Sequence, residues 1–221
     1  MRAIAIVMKS LLVVATLCAA SASHAASDDL RLAQAKAAFE RVAAGKRFHP
    51  ETTTFGDLDG DGVDDFATFL GDAYYNDNGV EDLQVLVFKG RRDGRFELVT
   101  RSGAIFGHER ISHALQIKRG SLYLHRDGAD GCCAHGVEEF QFKRRDGQLM
   151  LIGLESGLYH PDGVDLPDHG YGVNLATGQS EHWSGSDEKH RKRQRRSIRG
   201  LKPVPLAGFD YDKFMQAWPN L

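Results

Sequence analysis

The chain has 221 residues, 42% hydrophobic and 26% charged, with 28 Lys+Arg against 30 Asp+Glu for a formal net charge of −2. That much apolar material excludes a disordered chain, and the near-neutral balance excludes a globally basic nucleic-acid binder. Three cysteines are too few for a disulfide framework.

At the N-terminus, Arg2 and Lys9 precede and border an apolar run from Leu11 to Ala20, followed by small residues around Ser23-His24-Ala25. This is the pattern of a secretory leader, too short and wrongly flanked for a membrane span. Residues 1–25 are expected to be removed as a signal peptide, leaving 26–221 as one domain. Cys18 raises the alternative of a lipid anchor, against which Leu17 stands where a small residue is required. No later stretch approaches the roughly 20 apolar residues of a spanning helix, so no stable membrane span is expected. The expected location is the bacterial periplasm.

Without the leader, 26 basic residues face 30 acidic ones, distributed unevenly. Residues 26–188 hold 17 basic and 28 acidic side chains, whereas Lys189 to Arg199 hold seven basic ones. A helix is expected over 27–44, with Ser27 as its cap, Asp28 and Asp29 at its positive end, and Gly45 as its stop. A second, short helix is expected over 211–218, before Pro219.

Between the helices the pattern changes to short runs rich in aromatic and branched residues, bounded by Gly or Asp. These predict strands over 65–70, 83–88, 95–100, 113–118, 121–125, 137–142, 148–154 and 171–175. The fold class is therefore all-β with an N-terminal helix: a β-meander arranged as a sandwich, barrel or propeller-like array. Asp93-Gly94 and Asp146-Gly147 each divide two strand patterns as hairpin turns, and Thr177-Gly178 marks a third.

The stretch Gly56 to Asp65 reads GDLDGDGVDD. Counted from Asp57, it offers carboxylates at positions one, three and five (Asp59, Asp61), a glycine at six, the Val63 carbonyl at seven and Asp65 at nine. These are the offsets at which a calcium loop curls hard oxygen ligands around one ion. Position twelve is Thr68 rather than a bidentate Glu, and a strand follows instead of a helix, so Asp65 would have to close the site. A metal-free acidic turn is the alternative. The loop resembles the calcium loops of integrin-type FG-GAP and bacterial VCBS-like repeats. Calcium is the expected cofactor, in a structural role.

Cys132 and Cys133 are adjacent, and a bridge between them would lock a strained turn; a pair of free thiols is the equal alternative. The scattered histidines assemble into no recognisable triad, and Ser156 misses the nucleophile-elbow spacing. A non-enzymatic protein is expected. The run Lys189 to Arg196 reads as a solvated loop, or as a contact for an anionic envelope polymer through Lys189–Arg199. Export argues against nucleic acid.

The segment QLMLIGLESGLYHPDG carries Ser156-Gly157-Leu158-Tyr159 directly after a predicted strand. This looks like the Ser-Gly-x-Tyr loop of periplasmic inhibitors of invertebrate-type lysozymes and of related immunity proteins against type IV secretion effectors. The resemblance implies a β-rich, calcium-loop-bearing domain that inserts Ser156, Gly157 and Tyr159 into the cleft of a peptidoglycan hydrolase or lysozyme-like effector. It covers roughly residues 50–185 by order of motifs. The basic run lies outside the family pattern. The alternative function is a structural or adhesive cell-envelope module stabilised by calcium.

Overall fold

The structure, a computed structural model, describes residues 28–71, 83–105, 111–130, 134–159, 169–185, 192–198, 200 and 202–217. The expected leader, Cys132 and Cys133 lie outside the described residues. Helix α1 (residues 28–42) is followed by β1 (Thr54–Gly56), β2 (Asp65–Leu70), β3 (Gln84–Gly90) and β4 (Phe96–Arg101). These four strands form one antiparallel sheet in the order of the chain.

The second sheet has eight strands. It contains β5 (Ile111–Lys118), β6 (Ser121–Asp130), β7 (Ala134–Arg145), β8 (Gln148–Tyr159), β9 (His169–Asn174), β10 (Gln179–Ser184) and β11 (Lys192–Ser197), each paired with the next. The eighth, β12 (Val204–Pro205), pairs with Met150 and Leu151 of β8, leaving the far half of that strand to β9. Helix α2 (Tyr211–Ala217) closes the described chain.

The molecule is mostly β, with two meander-like antiparallel sheets that, among the described residues, do not close into a barrel or propeller. Its layers follow from the burial of β2 and β3. All six residues of β2 are buried, which an alternating half-exposed strand would not show. Phe66, Leu70, Leu86 and Phe88 point to one side, where Ala35, Ala38 and Phe39 of α1 complete a core. Ala67, Phe69, Val85 and Val87 point to the other, against Leu122, Leu124, Phe140 and Phe142 of the large sheet. A strand covered on both faces reads as a near-continuous apolar run, as Phe66–Leu70, interrupted only by Thr68, and Val85–Phe88 do. Phe66 stacks on Phe88 at 4.3 Å between ring centroids and meets Phe96 edge-on at 4.8 Å. Such pairs add to area burial alone.

The large sheet is wider than the small one, and part of its inner face is covered from the C-terminal end. Phe209 packs on Phe142 at 5.4 Å and on Phe140 at 5.8 Å, and Tyr211 meets Phe140 edge-on.

Two expectations need correction. The basic run expected as a solvated loop forms a strand at Lys192–Ser197, the outermost strand of the large sheet, with every residue exposed. Its backbone pairs in full with β10, from Ser197 on Gln179 to Lys192 on Ser184. Hydrogen bonding to a neighbour, without burial, places this segment in the sheet. The stretch Ser156-Gly157-Leu158-Tyr159, expected as a loop after a strand, belongs to β8 itself. Ser156 pairs with Glu138 on one side and Tyr171 on the other, and Gly157 pairs with Val137 and Gly170.

Candidate metal centre

The acidic stretch forms the connection between β1 and β2. Gly60 and Gly62 take φ of 81° and 79°, the left-handed region in which a side chain is strained, and the loop turns at both. Asp57 anchors the coil from within. Its Oδ1 accepts from the Gly60 amide at 2.7 Å and the Asp59 amide at 3.2 Å, and its Oδ2 accepts from the Gly62 amide at 2.9 Å. These amide donors, Gly62 first, hold the Asp57 carboxyl below its usual value. Val63 donates its amide to Asp61 at 2.9 Å.

Asp57, Asp59 and Asp61 come together, each offering an oxygen within 4.8 Å of the others. Asp65 is placed differently. It is buried, its Oδ2 accepting from the Leu58 amide at 3.0 Å and its Oδ1 from the Gly90 amide at 2.9 Å. Burial, only partly offset by these two bonds, raises its carboxyl above the ordinary value. Asp65 thus ties both ends of the loop to the small sheet and stands outside the group of three. Thr68, at the twelfth position, is buried and shares a 2.9 Å hydrogen bond with Thr53.

The protein also supplies cations to this loop, which the sequence pattern did not reveal. The Lys89 ammonium of β3 bonds Asp59 and reaches Asp61 at 2.8 Å. Arg144 of β7 lies 3.5 Å from the same Asp59 oxygen, and Arg31 of α1 pairs with Asp64 at 2.6 Å. Hydrogen bonding to Asp59 and then Asp61 raises the Lys89 ammonium, and the Lys89 contact is the first cause lowering Asp61. The three carboxylates fit a hard divalent cation in donor type and proximity, and Lys89 occupies part of the same electrostatic role.

A second polar cluster crosses the inner face of the large sheet. His113, Arg126, Glu138, Ser156, Tyr171 and His182 are successive cross-strand partners from β5 to β10. Arg126 is buried, forms an ion pair with Glu138, and lies 3.4 Å from His113 Nε2. Tyr211 of α2 donates its hydroxyl to Glu138 at 3.0 Å, and the Arg126 guanidinium sits 3.5 Å from the centre of its ring. Burial pushes the Tyr211 phenol up to about 12. Tyr171 bonds Ser156 and is raised, first by burial. The row became visible only with the register, because its members are 11 to 18 residues apart in the chain.

Comparison of the chain with protein-family models, with curated proteins and with solved structures returns no match.

Proposed function

We propose that this is an exported, non-enzymatic protein of the periplasm whose fold is steadied by calcium and whose partner is a peptidoglycan hydrolase or lysozyme-like effector. The grouping of Asp57, Asp59 and Asp61 on one short loop carries the calcium part of this reading. The Ser-Gly-x-Tyr stretch, seated at the end of β8, supports the hydrolase part. Because Ser156 and Gly157 are held between two neighbouring strands, contact with the hydrolase is assigned to the Tyr159 end of β8. Ser156, bonded to Tyr171, positions that end.

Calcium is expected to raise the thermal midpoint of the purified protein, with a stabilisation of about 2.7 kcal/mol at a hundredfold excess over its Kd. Asp57→Asn should remove that increment. Lys89→Met should tighten calcium binding by removing a competing cation, while lowering stability in chelator. An unchanged midpoint in calcium would leave Lys89 as the loop's resident cation and sink the metal reading.

The hydrolase reading is tested by peptidoglycan lysis with a panel of lysozymes and wild-type or Tyr159→Ala protein. Inhibition by wild type, lost in the variant, is the expected result; inhibition unaffected by the substitution removes Tyr159 from the contact. A second reading, an envelope module that holds an anionic polymer, is favoured by the exposed outer strand carrying Lys192, Arg193, Arg195 and Arg196.

A further inference from the structure

The outer face of the large sheet, turned away from the small sheet, is interrupted by glycines on two adjacent strands: Gly153 and Gly157 on β8, Gly170 and Gly172 on β9. Two of them contrast. At Gly170 a Cβ would lie 2.3 Å from the Trp183 ring and 2.2 Å from the Ser156 carbonyl oxygen, so packing forbids a side chain. At Gly172 the nearest atom to a Cβ is the Leu154 carbonyl oxygen at 4.0 Å. Packing gives no reason for glycine there, and glycine weakens a strand interior. A strand glycine without a packing cause is the kind that lets a ligand approach the backbone.

A cavity of about 430 Å³ opens over Gly153 and Gly172, and a second of about 340 Å³ adjoins it toward Gly157 and Trp183. Glu139 and Glu155, cross-strand neighbours, line both. From Gly153 to Gly157 the trough runs along β8 for roughly 13 Å at the usual rise per residue.

The polar atoms over the floor are matched in kind. In the row Gln141, Gly153, Asn174, the Gln141 amide nitrogen is engaged by Ser121 and Tyr123, and its Oε1 lies 3.4 Å from the position of a Gly153 Cβ. Asn174 has the opposite arrangement. Its Oδ1 accepts from the Ala176 and Thr177 amides, which leaves its Nδ2 as a donor without a partner among the described residues. An acceptor and a donor therefore flank the bare backbone of Gly153, an arrangement that suits a hydroxyl group, which both donates and accepts. In the next row, Glu139 is paired with His125 at 3.2 Å and Glu181 with Arg195 at 3.1 Å, while the exposed Glu155 carboxylate has no partner among the described residues. A carboxylate accepts hydroxyl protons well, and its placement opposite Glu139 costs the free protein some stability.

We propose that this trough binds a linear oligosaccharide, laid along β8 with its hydroxyls on Gln141, Asn174 and Glu155. The glycine floor admits the sugar rings close to the backbone, and Trp183 bounds one end. The site is separate from the acidic loop, and the inference stands apart from the hydrolase reading.

The test is calorimetric titration of the mature, calcium-equilibrated protein with three soluble β-1,4-linked tetramers: of glucose, of N-acetylglucosamine and of glucosamine. At least one is expected to bind with a sub-millimolar Kd. Gly172→Val, a β-branched residue entering open space in a strand, should keep the fold and weaken that binding at least about tenfold, or about 1.4 kcal/mol. Glu155→Gln should weaken it less. No binding of any tetramer at millimolar concentration overturns the proposal. So does binding that a folded Gly172→Val protein retains in full.

Discussion

Arg126→Ala is expected to lower the unfolding free energy by about 3–5 kcal/mol, because it strands the Glu138 carboxylate in the interior without its partner. The Arg126 side chain is 4% exposed and that of Glu138 17%. The loss exceeds the ion pair itself, since the guanidinium also packs on the Tyr211 ring. Urea unfolding at neutral pH reads the change. The double variant Arg126→Met, Glu138→Gln separates the two contributions: it should recover a large part of the stability, since no uncompensated charge remains. A single variant within about 1 kcal/mol of wild type would show that Glu138 is hydrated in solution.

Gly90→Ala is the second large effect. A Cβ at this position would lie 2.0 Å from the Asp64 carbonyl oxygen and 3.0 Å from Val63 Cγ1. Backbone, rather than the flexible tip of a side chain, stands in the way, so the acidic loop must move as a body. The expected cost is at the upper end of the about 1–3 kcal/mol typical of overpacking. The same displacement breaks the bond from the Gly90 amide to Asp65, so the calcium-dependent rise in thermal midpoint should shrink together with stability. Full retention of the calcium effect in Gly90→Ala would show that the loop's geometry does not depend on its seat against β3.

The central strands were legible because burial writes their pattern. The pattern gives Asp65–Leu70 the bounds that strand has, and gives the strands at 84–90, 96–101 and 121–130 with ragged ends. The strands that escaped were those that bury little. Gln179–Ser184 carries one large apolar side chain, Trp183, and Lys192–Ser197 carries none. Thr54–Gly56 is three residues long. Strand β8 outran its predicted end at 154 because Ser156 and Gly157 break the apolar alternation, yet both neighbours continue to pair with them. The aspartate offsets located the acidic loop correctly, but not the division of labour within it. Local spacing cannot tell that Asp65 turns toward two amides, or that Lys89, thirty residues from Asp59, comes to rest between carboxylates.

The shared edge of β8 bears on the order of events during folding. Its first residues pair with Val204 and Pro205, and the aromatic face beside it is roofed by Phe209 and Phe214. A chain emerging from its N-terminus can assemble α1 on the small sheet early, and can zip β5 to β8 by successive hairpins. It cannot complete the burial of Phe140 and Phe142 until Phe209, almost seventy residues later, has arrived, and closing so long a loop slows folding. Through that interval the aromatic face stays open to other chains, which makes it the segment most exposed to aggregation before the last turn of the polypeptide covers it.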